Sequence, residues 1–250
     1  MAEEIDMSDA ERAICPVCKS RQTDDFRDVR EYHFQICAAC RFVFLYPMPS
    51  EMVLESMYNT GGQITPDFYP KAKSRLHRAL RIAMHLYRFA WRGPVLDVGC
   101  GGGFQVEAFR RFGMRPTGLD ISANSIAFAR NAFSKNDFYC EKFEEFEVRN
   151  NKFKLIYSSE VIEHVVDIDS YMNFLIHNTA DRGYVYITTP NIDSPLVPEN
   201  ILDWDVFNPP RHVQFFRPEN LRRLFEDRGF SVRKRFRGPK AGLRYLFRKN

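Results

Sequence analysis

Apolar positions along the chain fall into two rhythms. Short apolar runs bounded by glycine or polar clusters predict strands at Pro94–Val98, Arg115–Asp120, Asp137–Cys140, Phe153–Ser158, Gly183–Thr189, Phe230–Phe236 and Leu243–Phe247. Between them, helical spacing predicts helices at Gly103–Phe112, Ser122–Phe133, Val161–Asn178 and Pro218–Arg228, the second opened by Ser122 as N-cap and the last stopped by Gly229. Such alternation builds a mostly parallel sheet with helices on both faces, and the two closing strands imply one antiparallel member. Upstream, Leu76, Leu80, Ile82, Ala83, Leu86 and Phe89 share one face of a helix over Lys71–Phe89, with Arg75, Arg78, Arg81 and Arg88 largely elsewhere. Residues 12–46 are short-patterned and hairpin-like, ending in Phe42–Tyr46 and then Pro47-Met48-Pro49. The chain therefore divides into a small module over residues 12–60, a connecting helical segment over 61–92 that opens with Gly61-Gly62, and an α/β domain over 93–250.

Composition sharpens this picture in three places. With 44% hydrophobic and 27% charged residues over 250 positions, the chain can bury a full core and carry one appended module. No apolar run approaches the roughly 20 residues that cross a bilayer. The acidic, polar start MAEEIDMSDAER is unlike a secretory signal, so the expected address is the cytoplasm. Net charge is only +4 but unevenly spread: from Arg222 onward Arg223, Arg228, Arg233, Lys234, Arg235, Arg237, Lys240, Arg244, Arg248 and Lys249 face only Glu226 and Asp227. That edge is either a solvated surface or a contact for phosphate, nucleic acid or an anionic membrane surface.

The most informative stretch is Val95-Leu96-Asp97-Val98-Gly99-Cys100-Gly101-Gly102-Gly103, an apolar strand running into a glycine turn that opens a helix. Glycines there admit positive φ and close approach of a ligand, and the helix N-terminus favours an anionic group. The dinucleotide fingerprint needs a further glycine where Phe104 or Val106 stands, so neither register fits. The next strand ends at Asp120, where a ribose diol would be clamped. The ligand read from this spacing is an adenosine with a short, carboxylate-bearing tail instead of a pyrophosphate.

Together, VLDVGCGGG (Val95–Gly103), GLDIS (Gly118–Ser122), LIYSSEVIEHV (Leu155–Val165) and YITTPN (Tyr186–Asn191) resemble the class I S-adenosylmethionine-dependent methyltransferases over about residues 71–250. The resemblance implies a Rossmann-like, doubly wound sheet of seven strands with the last antiparallel. It further implies that Asp97, Gly99, Gly101 and Gly103 hold the methionine end of S-adenosylmethionine and Asp120 both ribose hydroxyls. Lys142 and Phe143 would border the adenine, with Phe143 or Ile121 stacking, and Ser159 would close the cofactor set; the product would be S-adenosylhomocysteine.

Methyl transfer from a sulfonium needs alignment, and a base where the acceptor must lose a proton. His164 stands just past the fourth strand, where the ligand crevice of such a fold opens. His212 lies on a long loop after the fifth strand whose Trp204, Phe207, Phe215 and Phe216 suit an acceptor wall. Both are the candidate catalytic residues, each against a rival reading as a satisfied structural histidine. Glu160 and Glu163 read as helix N-terminal acids. Asn208-Pro209-Pro210 is similar to the N-P-P-Y signature of amino-group methyltransferases but follows the wrong strand, which removes the main support for base N-methylation.

Four of six cysteines form two pairs, Cys15–Cys18 and Cys37–Cys40. CxxC…CxxC in a chain expected to be intracellular points to one tetrahedral structural zinc over disulfides or redox chemistry, and metal would supply the stability so small a stretch lacks. Cys100 and Cys140 read as buried small apolar residues. CPVC…ICAACRFVFLYPMP with Tyr58 resembles the N-terminal zinc ribbon of bacterial methyltransferases of sugar and glycan pathways, in which the ribbon helps cover the active site. Arg211 stands where the sugar C-methyltransferases of that group carry an acid, which favours a hydroxyl acceptor. The leading expectation is O-methylation of a small-molecule acceptor, such as a nucleotide- or lipid-linked sugar. The alternatives are an RNA methyltransferase using the ribbon and basic C-terminal segment, and a non-catalytic zinc-ribbon adaptor.

Overall fold

The computed structural model describes residues 13–50, 53, 69–146 and 152–250. Tyr58, Gly61, Gly62 and Pro66 lie outside the described residues, as does the acidic N-terminal start.

Two sheets organise the chain. The smaller begins with a hairpin, β1 (Thr23–Val29) against β2 (Tyr32–Cys37), continued by β3 (Val43–Leu45). Helix α1 (Ala72–Ala90) then leads into the larger unit: β4 (Pro94–Val98), α2 (Phe104–Arg111), β5 (Arg115–Asp120), α3 (Ala123–Ala132), β6 (Asp137–Cys140), β7 (Phe153–Ser159), α4 (Ile168–Asn178), β8 (Thr179–Pro190), β9 (Gln214–Phe215), α5 (Pro218–Glu226), β10 (Phe230–Arg235) and β11 (Gly242–Lys249).

The large sheet has the order β10-β11-β8-β7-β4-β5-β6. β8, β7, β4, β5 and β6 run parallel, while β11 inserts antiparallel to both β8 and β10. The Rossmann-like, doubly wound α/β sheet with its antiparallel last strand is thus present as expected. Residues alternate between two buried faces, which is why the central strands read as continuous apolar runs. Val95, Leu155, Tyr157, Tyr186 and Leu246 pack with α1 and α2. Leu96, Val98, Leu119, Ile156, Val185 and Ile187 pack on the opposite side with α4 and α5. No helix among the described residues is long and apolar enough to cross a membrane.

Three expectations are corrected. The helix drawn over Val161–Asn178 is two pieces: a 3-10 turn at Ile162–His164, then α4, whose start is capped by Asp167 accepting from the Asp169 and Ser170 amides. Cys140 is exposed, because it ends the edge strand β6. β8 begins at Thr179, ahead of Gly183, because Thr179 already pairs with Phe153 before an irregularity in the ladder.

The small sheet reaches into the large unit. Its order is β1-β2-β3-β9, so its fourth strand comes from the loop after β8. Phe34 packs against Phe207 and Phe215, with ring centroids 4.6 Å and 5.7 Å away, and Phe42 meets Phe216 at 4.9 Å. These buried rings make the loop aromatics part of a shared core.

Candidate active site

β4 ends in three glycines with left-handed backbone: Gly99, Gly101 and Gly103 have φ of 71°, 49° and 73°. Side chains are disfavoured there by sterics, and the neighbours leave no room either. A Cβ on Gly99 would sit 2.5 Å from Val161 Cγ2, and one on Gly102 would sit 2.7 Å from the Tyr69 ring. The Gly99 and Cys100 amides both donate to Leu119 O, at 2.8 and 3.0 Å, which ties the turn to the end of β5.

Two acids flank this turn on neighbouring parallel strands. Asp97 is 2% exposed, and its Oδ2 has no hydrogen-bond partner among the described residues. Burial, and secondarily the charge of Asp120, pushes its carboxyl well above the usual range. Asp120 accepts from the Gly101 amide and the Ser122 amide, each at 2.8 Å. Burial raises its pKa while those two N–H groups pull it down. Each Asp120 oxygen retains a second lone pair for a further donor.

A buried carboxylate with an orphaned oxygen is costly unless a cation or donor meets it. The acids, the left-handed glycines and the tight turn fit a nucleoside with a cationic amino-acid tail, and so fit S-adenosylmethionine. Ile121, just past Asp120, is exposed and available for stacking. The Phe143 ring instead packs on α4, against Tyr171 at 5.2 Å and Phe174 at 5.6 Å, while Lys142 is half-buried in the turn after β6. Ser159 shares a 2.6 Å hydrogen bond with Thr188 across β7 and β8.

Tyr69 escaped the sequence reading because no motif or period marks it. Its hydroxyl donates to Ser125 Oγ at 2.9 Å, and its ring covers the glycine turn between Phe104 and Phe128.

Past the end of β7, Glu163, His164 and His212 gather beside Glu160. Glu160 takes a left-handed φ of 58° at the end of β7, with Oε1 accepting from Thr188 Oγ1 at 2.7 Å. That bend swings the 3-10 turn over the strand ends, and Glu163 plunges inward to 0% exposure. Glu163 Oε2 accepts from Thr189 Oγ1 at 2.9 Å, whereas Oε1 has no hydrogen-bond partner among the described residues. Burial, then the neighbouring Glu160, pushes the Glu163 carboxyl well up. This corrects its reading as a helix N-terminal acid.

His164 Nδ1 lies 2.5 Å from Arg211 O, and His212 Nδ1 lies 2.5 Å from Val206 O. A carbonyl oxygen only accepts, so both rings carry their proton on Nδ1 and their lone pair on Nε2. The two rings meet edge-on with centroids 4.6 Å apart. Burial, then the neighbouring His212, drives the His164 pKa down to about 3. Burial also lowers that of His212, opposed by the Val206 carbonyl. One ligand atom each from Glu163, His164 and His212 lie within 4.8 Å of one another, and Glu163 Oε1 is 3.9 Å from His164 Nε2. Backbone carbonyls orienting two imidazoles beside a carboxylate are the second shell that metal-ligating histidines use.

The four paired cysteines also converge. Cys15 Sγ is 3.6 Å from Cys40 Sγ and Cys18 Sγ is 3.4 Å from Cys37 Sγ, with all four within 4.8 Å of one another. Disulfide sulfurs would be at about 2.05 Å, and all four thiols are free. Each pair closes in the same way: Lys19 and Arg41, just past the second cysteine of each pair, take φ of 62° and 58° and donate their amides to Cys15 O and Cys37 O. Thiolates at tetrahedral corners about 2.3 Å from zinc stand roughly 3.8 Å apart, so this donor set fits that ion.

A family model described as a methyltransferase domain matches residues 71–235. The chain is similar to the ubiquinone biosynthesis O-methyltransferases of Sinorhizobium fredii and Nitrobacter winogradskyi, at 28% and 30% identity over 148 residues, 55% of this chain and 60% and 56% of theirs. It therefore spans less than two thirds of the length of these relatives. Among solved structures, the magnesium protoporphyrin IX methyltransferase of Synechocystis PCC 6803 with bound SAH superposes with a TM-score of 0.61 at 12% identity, covering 80% of this chain and 100% of that one. The CcbJ methyltransferase of Streptomyces caelestis gives a TM-score of 0.60 at 13% identity, covering 78% and 98%. At such identities the likeness establishes the fold, while the family model spans most of the chain. The chain belongs to this methyltransferase family and carries a class I S-adenosylmethionine-dependent methyltransferase domain.

Proposed function

We propose that this protein transfers the methyl group of S-adenosylmethionine to a hydroxyl oxygen of a small-molecule acceptor held between the glycine turn and the Glu163–His164–His212 wall. The observation that carries the reading is the orphaned, buried Asp97 carboxylate beside Asp120 and the left-handed glycines, which complements a sulfonium and ammonium cation. S-adenosylmethionine, when bound, would supply the methyl group to the acceptor oxygen, its carbon–sulfur bond electrons remaining on sulfur as S-adenosylhomocysteine, and His212 Nε2 takes the hydroxyl proton. His212 suits this base role because its Nδ1–H is held by Val206 O, which fixes the lone pair on Nε2.

Oxygen as the methylated atom is supported by the relatives named as O-methyltransferases and by Arg211 standing where the sugar C-methyltransferases carry an acid. Phenolic and sugar hydroxyls are the two acceptor classes to screen. We place the four cysteines around a structural zinc ion, and expect metal analysis of the purified protein to find zinc that Cys37→Ser loses.

One observation favours a second reading of the same wall. Glu163 Oε1, with the two oriented imidazoles, forms a donor set for a divalent cation, which would lower the acceptor's pKa in place of a base. The test is transfer of labelled methyl to phenolic and nucleotide-sugar panels, with His212→Ala and with chelator. Loss of about 10²–10⁴-fold in turnover by His212→Ala at unchanged S-adenosylhomocysteine affinity supports the base. Loss with chelator that magnesium restores and zinc alone does not supports the metal at this wall. Near-wild-type turnover in both arms removes the histidine wall from the mechanism.

A further inference from the structure

We propose that the four-cysteine module is a positioning element for the acceptor wall, setting where His212 stands against Glu163 and His164. The inference rests on the methyl-transfer reading only where activity is measured.

The connection runs through one residue. Val213, next to His212, donates its amide to Glu163 O at 2.9 Å and accepts from the Leu45 amide at 2.8 Å. A single residue thus links the turn that carries Glu163 to the last strand of the module. The pairing continues as β3 and β9, with Phe44 opposite Gln214 and Val43 opposite Phe215. β3 is the only named strand that β9 pairs with among the described residues.

A second clasp lies at the cysteines. The buried Asn220 donates to Cys40 O at 2.7 Å, and the buried Arg217 guanidinium donates to Arg41 O and, through Nε, to Asp193 Oδ1 at 2.9 Å. Both carbonyls sit at the Cys37–Cys40 knuckle, whose shape depends on how its thiolates are held. Arg217 closes the loop that carries His212, so the knuckle grips that loop beyond His212 while β3 grips it beside His212. Arg217 is accordingly a positioning residue.

The test compares zinc-loaded full-length wild type with Arg217→Met, which keeps the apolar stem and removes the clasp. Nitrogen-15 spectra of the histidine rings, S-adenosylhomocysteine affinity, zinc content and acceptor kinetics are read on both. The expected result is shifted ring resonances for His212, zinc content and cofactor affinity within about twofold of wild type, and kcat/KM for the acceptor lowered about 10- to 100-fold, as misplacement of a reacting group by ~1 Å costs. Unmoved histidine resonances, or unchanged kcat/KM in an active enzyme, overturn the proposal. Should Arg217→Met fail to fold, stripping zinc from wild type reads the same coupling: the His212 resonances are expected to move while the cofactor still binds, and resonances unmoved by stripping overturn the proposal. The ring spectra need no acceptor, so this inference can fail while methyl transfer stands. Wild type that fails to bind S-adenosylhomocysteine sinks the methyl-transfer reading instead.

Discussion

The imidazoles of His164 and His212 meet edge-on with centroids 4.6 Å apart, each pinned through Nδ1 by a backbone carbonyl of the loop after β8. His164 comes from the turn after β7 and His212 from that loop, so the loop's carbonyls orient both rings. Residues that act as a unit lose their effects together. The His164→Ala/His212→Ala double variant is therefore expected to lose little more activity than the worse single. Effects that multiply across the two singles in kcat/KM would show that the rings act independently.

Gln214 is fully buried and donates through Nε2 to Ile162 O at 2.6 Å and Val165 O at 2.9 Å, the two ends of the turn that carries Glu163 and His164. Gln214→Leu removes the side-chain donor of Val165 O and leaves Ile162 O only the Val165 amide at 3.3 Å, at a cost of about 1–3 kcal/mol. Urea unfolding is expected to show the lowered stability. A midpoint unchanged from wild type would mean that the turn holds its shape without this side chain.

The strands of the large sheet were legible because buried parallel strands are apolar throughout and end at glycines or acids. Arg115–Asp120 and Asp137–Cys140 were read to the residue. The break between Ile162–His164 and α4 was not, because Ile162, Val165 and Ile168 are all buried and continue a helix-like period across it. Asp167 as N-cap was the signal available to find it. The glycine turn and both aspartates of the candidate cofactor site stood out in the sequence. Glu163 did not, because its partner Thr189 lies on a distant strand and only the fold brings them together. Tyr69 and the β3–β9 pairing depend on long-range contacts in the same way.

Glu107 gives the fold an acid-sensitive anchor. It accepts from Arg110 at 2.9 Å, Arg111 at 2.7 Å and Asn136 at 3.0 Å, and these partners, Arg110 foremost, hold its pKa down to about 2. A depressed folded-state pKa stabilises above the unfolded value near 4.5 and is lost as pH falls toward 2. With both guanidinia partly exposed, the contribution is discounted to about 2 kcal/mol. Glu107→Gln is expected to melt below wild type at pH 7 and to converge with it between pH 4.5 and 2. A constant gap across that range would assign the stabilisation elsewhere.

Gly99 has φ of 71° and no space for a side chain, since an added Cβ would strike Val161. Gly99→Ala should cost about 1–2 kcal/mol in backbone strain alone, read as a drop of about 2–4 °C in Tm per kcal/mol. Adding Val161→Ala should recover part of the loss by opening the contact, and a double variant no more stable than Gly99→Ala would leave backbone strain as the whole cause.

Titration of S-adenosylhomocysteine into the purified protein by calorimetry reaches the cofactor site without any acceptor. Wild type is expected to bind saturably, with affinity weakened at least about tenfold, or 1.4 kcal/mol, by Asp120→Ala and likewise by Asp97→Ala. Absence of binding by folded wild type, or full affinity in both variants, would contradict the assignment of this site.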